Sequence, residues 1–178
     1  MNSAQLRRVT VESFAHYRDG LVELLLDAVQ QGASLGFLQG ITAPEAAAYF
    51  DTVTTELAMN SRVLWAVVKD ERVLASVQLA LCTKPNGLNR AEVQKLMVRG
   101  DSRRHGLGRQ LMDELEAAAL QKKRGLLYLD TEAGSAAEAF YQTQGYQRAG
   151  EIPDYACSPD GIYRPTALYY KILQGPFV

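Results

Sequence analysis

Apolar positions along this chain switch repeatedly between two periods, and the switches mark out its elements. Leu6 to Val11 reads as a short first strand. From Ser13 the apolar residues Phe14, Tyr17, Leu21, Leu24, Leu25 and Ala28 fall at helical spacing, and Gly32 stops the helix. Thr42-Ala-Pro-Glu45 is a capping-box pattern with an early proline, opening a second helix through Phe50, Val53 and Leu57. The loop Gly32–Gly40 between them is punctuated by glycine. Two β-rich runs, Val63–Lys69 and Val73–Leu81, flank the short turn Asp70-Glu71-Arg72 and predict an antiparallel hairpin. Pro85–Asn89 reads as a turn leading into the strand Glu92–Val98. A helix follows over Gly106–Gln121, with its apolar stripe at Leu107, Leu111, Leu115, Ala118 and Ala119. Gly125–Thr131 is strand-like, Ser135–Thr143 is a short helix ended by Gly145, Tyr146 resumes a strand, and Thr166–Ile172 closes the chain.

This order predicts a mixed α/β fold. One βαβ crossover, from Val98 through the long helix to Leu126, would make the two central strands parallel neighbours in a mixed sheet. With 178 residues, 47% of them hydrophobic, the chain suits one well-buried domain over 1–178 and is short for two. A formal net charge of −1 gives no footprint for nucleic acid or an anionic membrane. The opening segment Met1–Arg8 lacks the apolar core of a leader, and no run of about 18 apolar residues occurs, so a cytoplasmic protein is expected. Cys82 and Cys157 lack CxxC or Cys/His spacing, so neither a metal site nor a disulfide framework is expected.

Chemistry concentrates where Ala91–Val98 runs into Arg103-Arg-His-Gly-Leu-Gly-Arg109. A helix that opens from such a turn presents free backbone N–H groups and a positive dipole end, which suit phosphate. Gly106 and Gly108 lack Cβ atoms, so a diphosphate can approach the main chain, and Arg99, Arg103, Arg104 and Arg109 add local positive charge. No Lys-Ser/Thr follows the glycines as an ATP-binding P-loop requires, and the spacing is not that of a dinucleotide fold. Two carboxylates stand on the predicted central strands. Glu92 shares a face with Gln94 and Leu96 by two-residue alternation, and Asp130 emerges at the C-terminal edge, where open α/β sheets place ligands. His16 falls on a helix face expected to be exposed and His105 lies within the phosphate turn, so neither makes a triad.

Arg-x-x-Gly-x-Gly after a strand resembles the acetyl-coenzyme A signature of the GCN5-related N-acetyltransferases (GNAT). Ala137-Glu-Ala-Phe-Tyr-Gln-Thr-Gln-Gly-Tyr146 resembles a second element of that family, whose tyrosine sits beside the thioester sulfur. The resemblance implies a mostly antiparallel sheet with splayed parallel central strands, flanked by helices. It implies acetyl-CoA as cosubstrate, without a metal. Arg103, Arg104, Gly106, Leu107, Gly108 and Arg109 would then hold the diphosphate, and the strand edge at Leu96, Met97 and Val98 the pantetheine arm. Many members carry Asn where this chain has Gly134, which leaves Ser135 as the alternative pantetheine contact. Tyr141 becomes the group that assists the departing thiolate. A phenol near pKa 10 facing a thiol near 8.5 makes full proton donation uphill by roughly 2 kcal/mol, so a hydrogen bond is the natural role. Asp130 or Glu92, unranked, would take the amine's proton.

By the same analogy Ser34–Gln39 walls the acceptor pocket. Tyr155, Tyr163 and Arg164, before the last strand, would add to that wall, with Arg164 on an acceptor carboxylate. Homodimers are common in the family, although no heptad or apolar seam specifies one here. Lys84–Val98, Gly106–Asp113, Leu129–Ser135 and the opening Gln5–Thr10 resemble more closely the tabtoxin-resistance acetyltransferases of pseudomonads. That likeness implies a small amine acceptor such as tabtoxinine-β-lactam, and a role in toxin or antibiotic resistance. Other small amines (a polyamine, an amino acid, an aminoglycoside) stand as alternatives, as does a catalytically silent CoA-binding sensor.

Overall fold

A computed structural model describes residues 3–175, so Met1, Asn2 and residues 176–178 lie outside it. The order is β1 (Gln5–Val9), α1 (Val11–Gln30), α2 (Ala43–Ala58), β2 (Arg62–Lys69), β3 (Arg72–Leu81), β4 (Arg90–Val98), α3 (Leu107–Gln121), β5 (Leu126–Glu132), α4 (Ala136–Thr143), β6 (Gln147–Cys157) and β7 (Tyr163–Ile172). Local chemistry accounts for the helix starts. Thr10 closes a capping box with Ser13 at α1, and Thr42 closes one with Glu45 at α2, each satisfying backbone N–H groups that the first turn leaves without partners.

The strands form one seven-stranded sheet in the order β1-β2-β3-β4-β5-β7-β6. Among the described residues only β4 and β5 run parallel, as the crossover through α3 requires. The sheet buries a core on each face. Trp65, Leu79, Leu127 and Leu129 pack with Leu111, Met112 and Leu115 of α3 and Tyr141 of α4. On the opposite face Leu64, Ala66 and Met97 pack against Leu21, Leu24 and Leu25 of α1 and Phe50 and Val53 of α2. Among the described residues, no helix is long and apolar enough to cross a membrane.

The element order matches the sequence pattern, but the last hairpin differs. β6 runs for 11 residues to Cys157, and β7 begins at Tyr163 rather than Thr166. Gly150, Pro153 and Asp154 read locally as breakers, yet β7 supplies a continuous partner. The irregularities are absorbed as register shifts between Arg148 and Gly150 and between Ile152 and Ala156. Tyr155, Tyr163 and Arg164 therefore belong to this hairpin and not to a loop before the last strand.

Candidate active site

The central parallel pair separates almost as soon as it forms. β4 and β5 are in register only at Arg90–Leu126, Ala91–Leu127 and Glu92–Tyr128. Beyond that, β4 stays bonded to β3, and β5 to β7. The edge of β4 that faces β5, from Val93 through Leu96, Met97 and Val98, thus has no strand partner; Arg103 Nε reaches the Val98 carbonyl at 3.5 Å, and an extended ligand could pair with the rest.

At the end of β4 the chain passes through a 3₁₀ turn at Gly100–Ser102 into α3. Three helices have side-chain caps, from Thr10, Thr42 and Ser135, whereas α3 has none and no acidic residue in its first turn. Its N-cap, Gly106, sits at φ 77, a left-handed conformation natural to glycine, and a Cβ there would meet nothing within 4 Å. The first ladder bond runs from Gln110 N–H to the Gly106 carbonyl at 3.0 Å, so the N–H groups of Leu107, Gly108 and Arg109 precede the ladder. Arg103 and Arg104 are exposed and form no ion pair with another described residue. Arg109 touches Asp113 only at 3.9 Å across two exposed side chains, a contact worth little. This corner is positive, uncapped and sterically open.

Two sequence expectations change here. Arg99 does not join the basic cluster: it is buried, donates to the Val73 carbonyl at 3.1 Å and pairs with Glu23 at 2.8 Å, tying β4 to α1. Gly108 is needed for packing and not only for ligand approach. A Cβ at this position would lie 3.3 Å from the Phe140 ring and 3.9 Å from Val98, so its absence lets α3 close against α4. Gly108→Ala is therefore expected to lose part of the roughly 1 kcal/mol that Gly→Ala brings inside a helix, because its Cβ would press on the Phe140 ring. Phe140→Leu in the same chain should recover part of that loss in urea unfolding. The full gain in Gly108→Ala alone would remove the packing role.

Tyr141 lies on α4, 7% exposed, edge-on to Tyr146 at 5.9 Å and to Phe140 at 5.6 Å. Its hydroxyl makes no hydrogen bond to another described residue. Burial, and then the nearby charge of Asp130, push the phenol well above its ordinary range, so it stays protonated and available as a donor. Helix α4 is held in place by Glu138, a buried carboxylate that accepts from Gly134 N–H at 2.6 Å, Tyr169 hydroxyl at 2.6 Å and Arg148 at 3.2 Å. These donors hold the Glu138 carboxyl below its usual value. Gly134 stands at φ 76, a backbone state that glycine and asparagine share, which explains how either can occupy this turn. Ser135 caps α4: its hydroxyl accepts from Glu138 N–H at 3.1 Å and donates to the Glu132 carbonyl at 2.6 Å. Its donor is therefore already committed within the turn.

Glu92 and Asp130 sit on either side of the opening, on neighbouring strands. Neither forms an ion pair or hydrogen bond with another described residue, so both carboxylates are uncommitted. The alternation that put Glu92, Gln94 and Leu96 on one face fails. Lys95 adopts φ 52 at a β-bulge opposite Ser76–Gln78, and the bulge reverses the phase. Leu96 and Val98 consequently pack with the α3 side, while Met97 packs with α1 and α2. Sequence reasoning missed what the bulge exposes, namely Lys95 beside Tyr49, Arg62 and Gln78; simple alternation carries no signal for it.

The loop Ser34–Gln39 does reach over this end of the sheet. Gln39 N–H donates to the Pro159 carbonyl at 2.9 Å, joining the loop to the β6–β7 connection. Beneath lies a cavity of about 230 Å³, whose lining includes Gln39, Glu132, Ser158, Asp160 and Arg164. Arg164 is not free for an acceptor carboxylate as expected. Asp160 holds its guanidinium in two bonds of 2.8 and 2.7 Å, and Glu132 approaches at 3.8 Å.

The pattern of the acetyltransferase (GNAT) domain matches residues 60–148, which span β2 through α4 and hold the splayed strands, the α3 corner and Tyr141. Solved structures share the fold. An N-acetyltransferase from Staphylococcus aureus Mu50 is 19% identical, with a TM-score of 0.78, covering 97% of this chain and 100% of its own. A ribosomal-protein-alanine N-acetyltransferase from Brucella melitensis is 19% identical, with a TM-score of 0.75 over 95% of this chain and 99% of that one. The yncA protein from Salmonella typhimurium, in a structure with its cofactor acetyl-CoA, is 13% identical, with a TM-score of 0.78 over 99% and 98%.

Proposed function

Since the chain belongs to the GNAT acetyltransferases, we propose that it passes the acetyl group of acetyl-CoA directly to the amine of a small acceptor within one ternary complex, residues 1–178 acting as a single domain. The observation that carries this reading is the presence together of three features: an uncapped, basic α3 N-terminus, an unpaired edge of β4, and a buried, protonated tyrosine on α4 within electrostatic reach of Asp130 on β5. The diphosphate would rest on the N–H groups of Leu107, Gly108 and Arg109 with Arg103 and Arg104 alongside. The pantetheine amides would bond to β4 at Leu96, Met97 and Val98, as an added strand does. Ser135 would offer only its remaining lone pair.

The amine must be neutral to attack the thioester carbonyl. Glu92 or Asp130, directly or through a water, would take its proton. A backbone N–H of β4 would polarise the carbonyl oxygen. As the tetrahedral intermediate collapses, the C–S bond breaks and the thiolate leaves against the Tyr141 hydroxyl. Because burial raises the phenol's pKa, Tyr141 donates a hydrogen bond and does not surrender its proton outright. A β-lactam-bearing amino acid such as tabtoxinine-β-lactam is the leading acceptor, on the segments that resemble toxin-resistance enzymes, and a resistance role follows from it.

Thiol release from acetyl-CoA against an amine panel tests the reading. Asp130→Asn or Glu92→Gln should lower kcat by roughly a hundredfold or more at whichever residue takes the proton, with acetyl-CoA affinity retained. Full activity in both variants would leave the amine to lose its proton before binding. Tight acetyl-CoA binding with no turnover on any amine would instead favour a silent CoA sensor.

A further inference from the structure

The bulge in β4 turns Lys95 towards the α1–α2 side, into surroundings that are unusual for a lysine. Its ammonium sits 5.9 Å from the Phe37 ring centre and 5.5 Å from that of Tyr49, two rings that meet edge to face at 5.4 Å. Phe37 comes from the loop over the acceptor end of the sheet, and Tyr49 from α2. No carboxylate among the described residues lies within ion-pair distance of Lys95. Gly36 of the same loop also lies against the ammonium, since a Cβ there would stand 4.0 Å from it.

The charged and polar groups around it have partners of their own among the described residues, except Gln78 Nε2, a buried donor with none. Arg62 is bound to Glu56 and donates to Gln78 and Gln94 at 2.6 Å each, while the Tyr49 hydroxyl donates to Gln78 at 3.0 Å. Glu92 and Asp130 are the two carboxylates within electrostatic reach of Lys95, and both face the opening between β4 and β5. Burial and the Arg62 charge make the ammonium harder to keep, and those two carboxylates only partly offset this. A half-buried cation in an aromatic cage, with no ion-pair partner, is a binding site lacking its anion.

We propose that Lys95, caged by Phe37 and Tyr49, binds a carboxylate of the acceptor, so that the acceptor is a zwitterionic amine of the amino-acid class. This inference rests on the acetyl-transfer reading above and sharpens it. The amine of such a molecule would lie towards Glu92 and Asp130, and its carboxylate towards Lys95, each end meeting the opposite charge. Polyamines and aminoglycosides fit poorly, because they would bring more cations to Lys95 and Arg62.

The test pairs α-amino acids with their matching α-amino carboxamides. In protein labelled with ¹³C at lysine Cε, the Lys95 signal is assigned by its disappearance in Lys95→Met. It should move on addition of the acids and stay in place with the carboxamides. In thiol-release assays, wild type should favour acid over carboxamide in kcat/KM by about tenfold or more, and Lys95→Met should abolish that ratio. A Lys95 signal that no acid moves, or that both partners of each pair move equally, overturns the proposal. So does an acid-to-carboxamide ratio that survives the substitution, which would make Lys95 a counter-ion for Glu92 and Asp130. Calorimetry with acetyl-CoA alone is read separately: failure there removes the transfer reading without altering the lysine signal.

Discussion

Tyr141→Phe is expected to lower kcat on the order of a hundredfold, the scale of losing one donor aimed at charge that develops in a transition state. Acetyl-CoA affinity should stay within about twofold, because the lost bond forms only as the thiolate departs. The fold should tolerate the change: the hydroxyl bonds to no described residue, while the ring keeps its contacts with Phe140 and Tyr146. The effect should persist across the neutral pH range, since the raised phenol pKa keeps the group protonated there. Rates should be compared at saturating acetyl-CoA in single turnover. Unchanged turnover would take Tyr141 out of the mechanism, whereas a matching loss of acetyl-CoA affinity would recast it as a pocket wall.

Gly106→Asp separates phosphate binding from helix stability more sharply than any change that merely disrupts the corner. Open space surrounds the position, so either Asp or Asn fits sterically, and both tolerate its left-handed φ better than most residues. The two variants therefore share their backbone cost and differ in charge. In the free protein Asp is the better neighbour for a helix N-terminus, so Gly106→Asp should melt no lower than Gly106→Asn. Acetyl-CoA binding should reverse that order. A carboxylate beside the diphosphate should weaken Kd on the order of a hundredfold relative to Asn, a few kcal/mol of repulsion at short range. Equal affinities in the two variants would place the diphosphate elsewhere.

The elements that were legible in the sequence are those governed by local rules. The capping box at Thr42 and the stripe Leu107–Leu111–Leu115 fix helices by short-range chemistry, and the hairpin of β2 and β3 follows from two β-rich runs and a tight turn. What escaped depended on partners distant in sequence. β6 passes through Pro153 and Asp154 only because β7 lies beside it. The packing of Gly108 against Phe140 was not legible, because that neighbour is 32 positions further along. The largest miss came from one residue: the bulge at Lys95 reverses the alternation of β4, moving Leu96 to the opposite face and bringing a lysine to the α1–α2 side. Arg164 illustrates the converse. Its basic side chain, expected just before the last strand, suggested a free cation, but Asp160, four residues away, already holds it.

The account depends most on where the cosubstrate's phosphates lie, and backbone amide NMR reads that directly. On titration with acetyl-CoA, the amides of Leu107, Gly108 and Arg109 should show the largest shifts, followed by those of Leu96–Val98, and coenzyme A without the acetyl group should reproduce the first set. Acetyl-CoA that fails to bind, or that perturbs other amides and leaves the start of α3 unmoved, would contradict it.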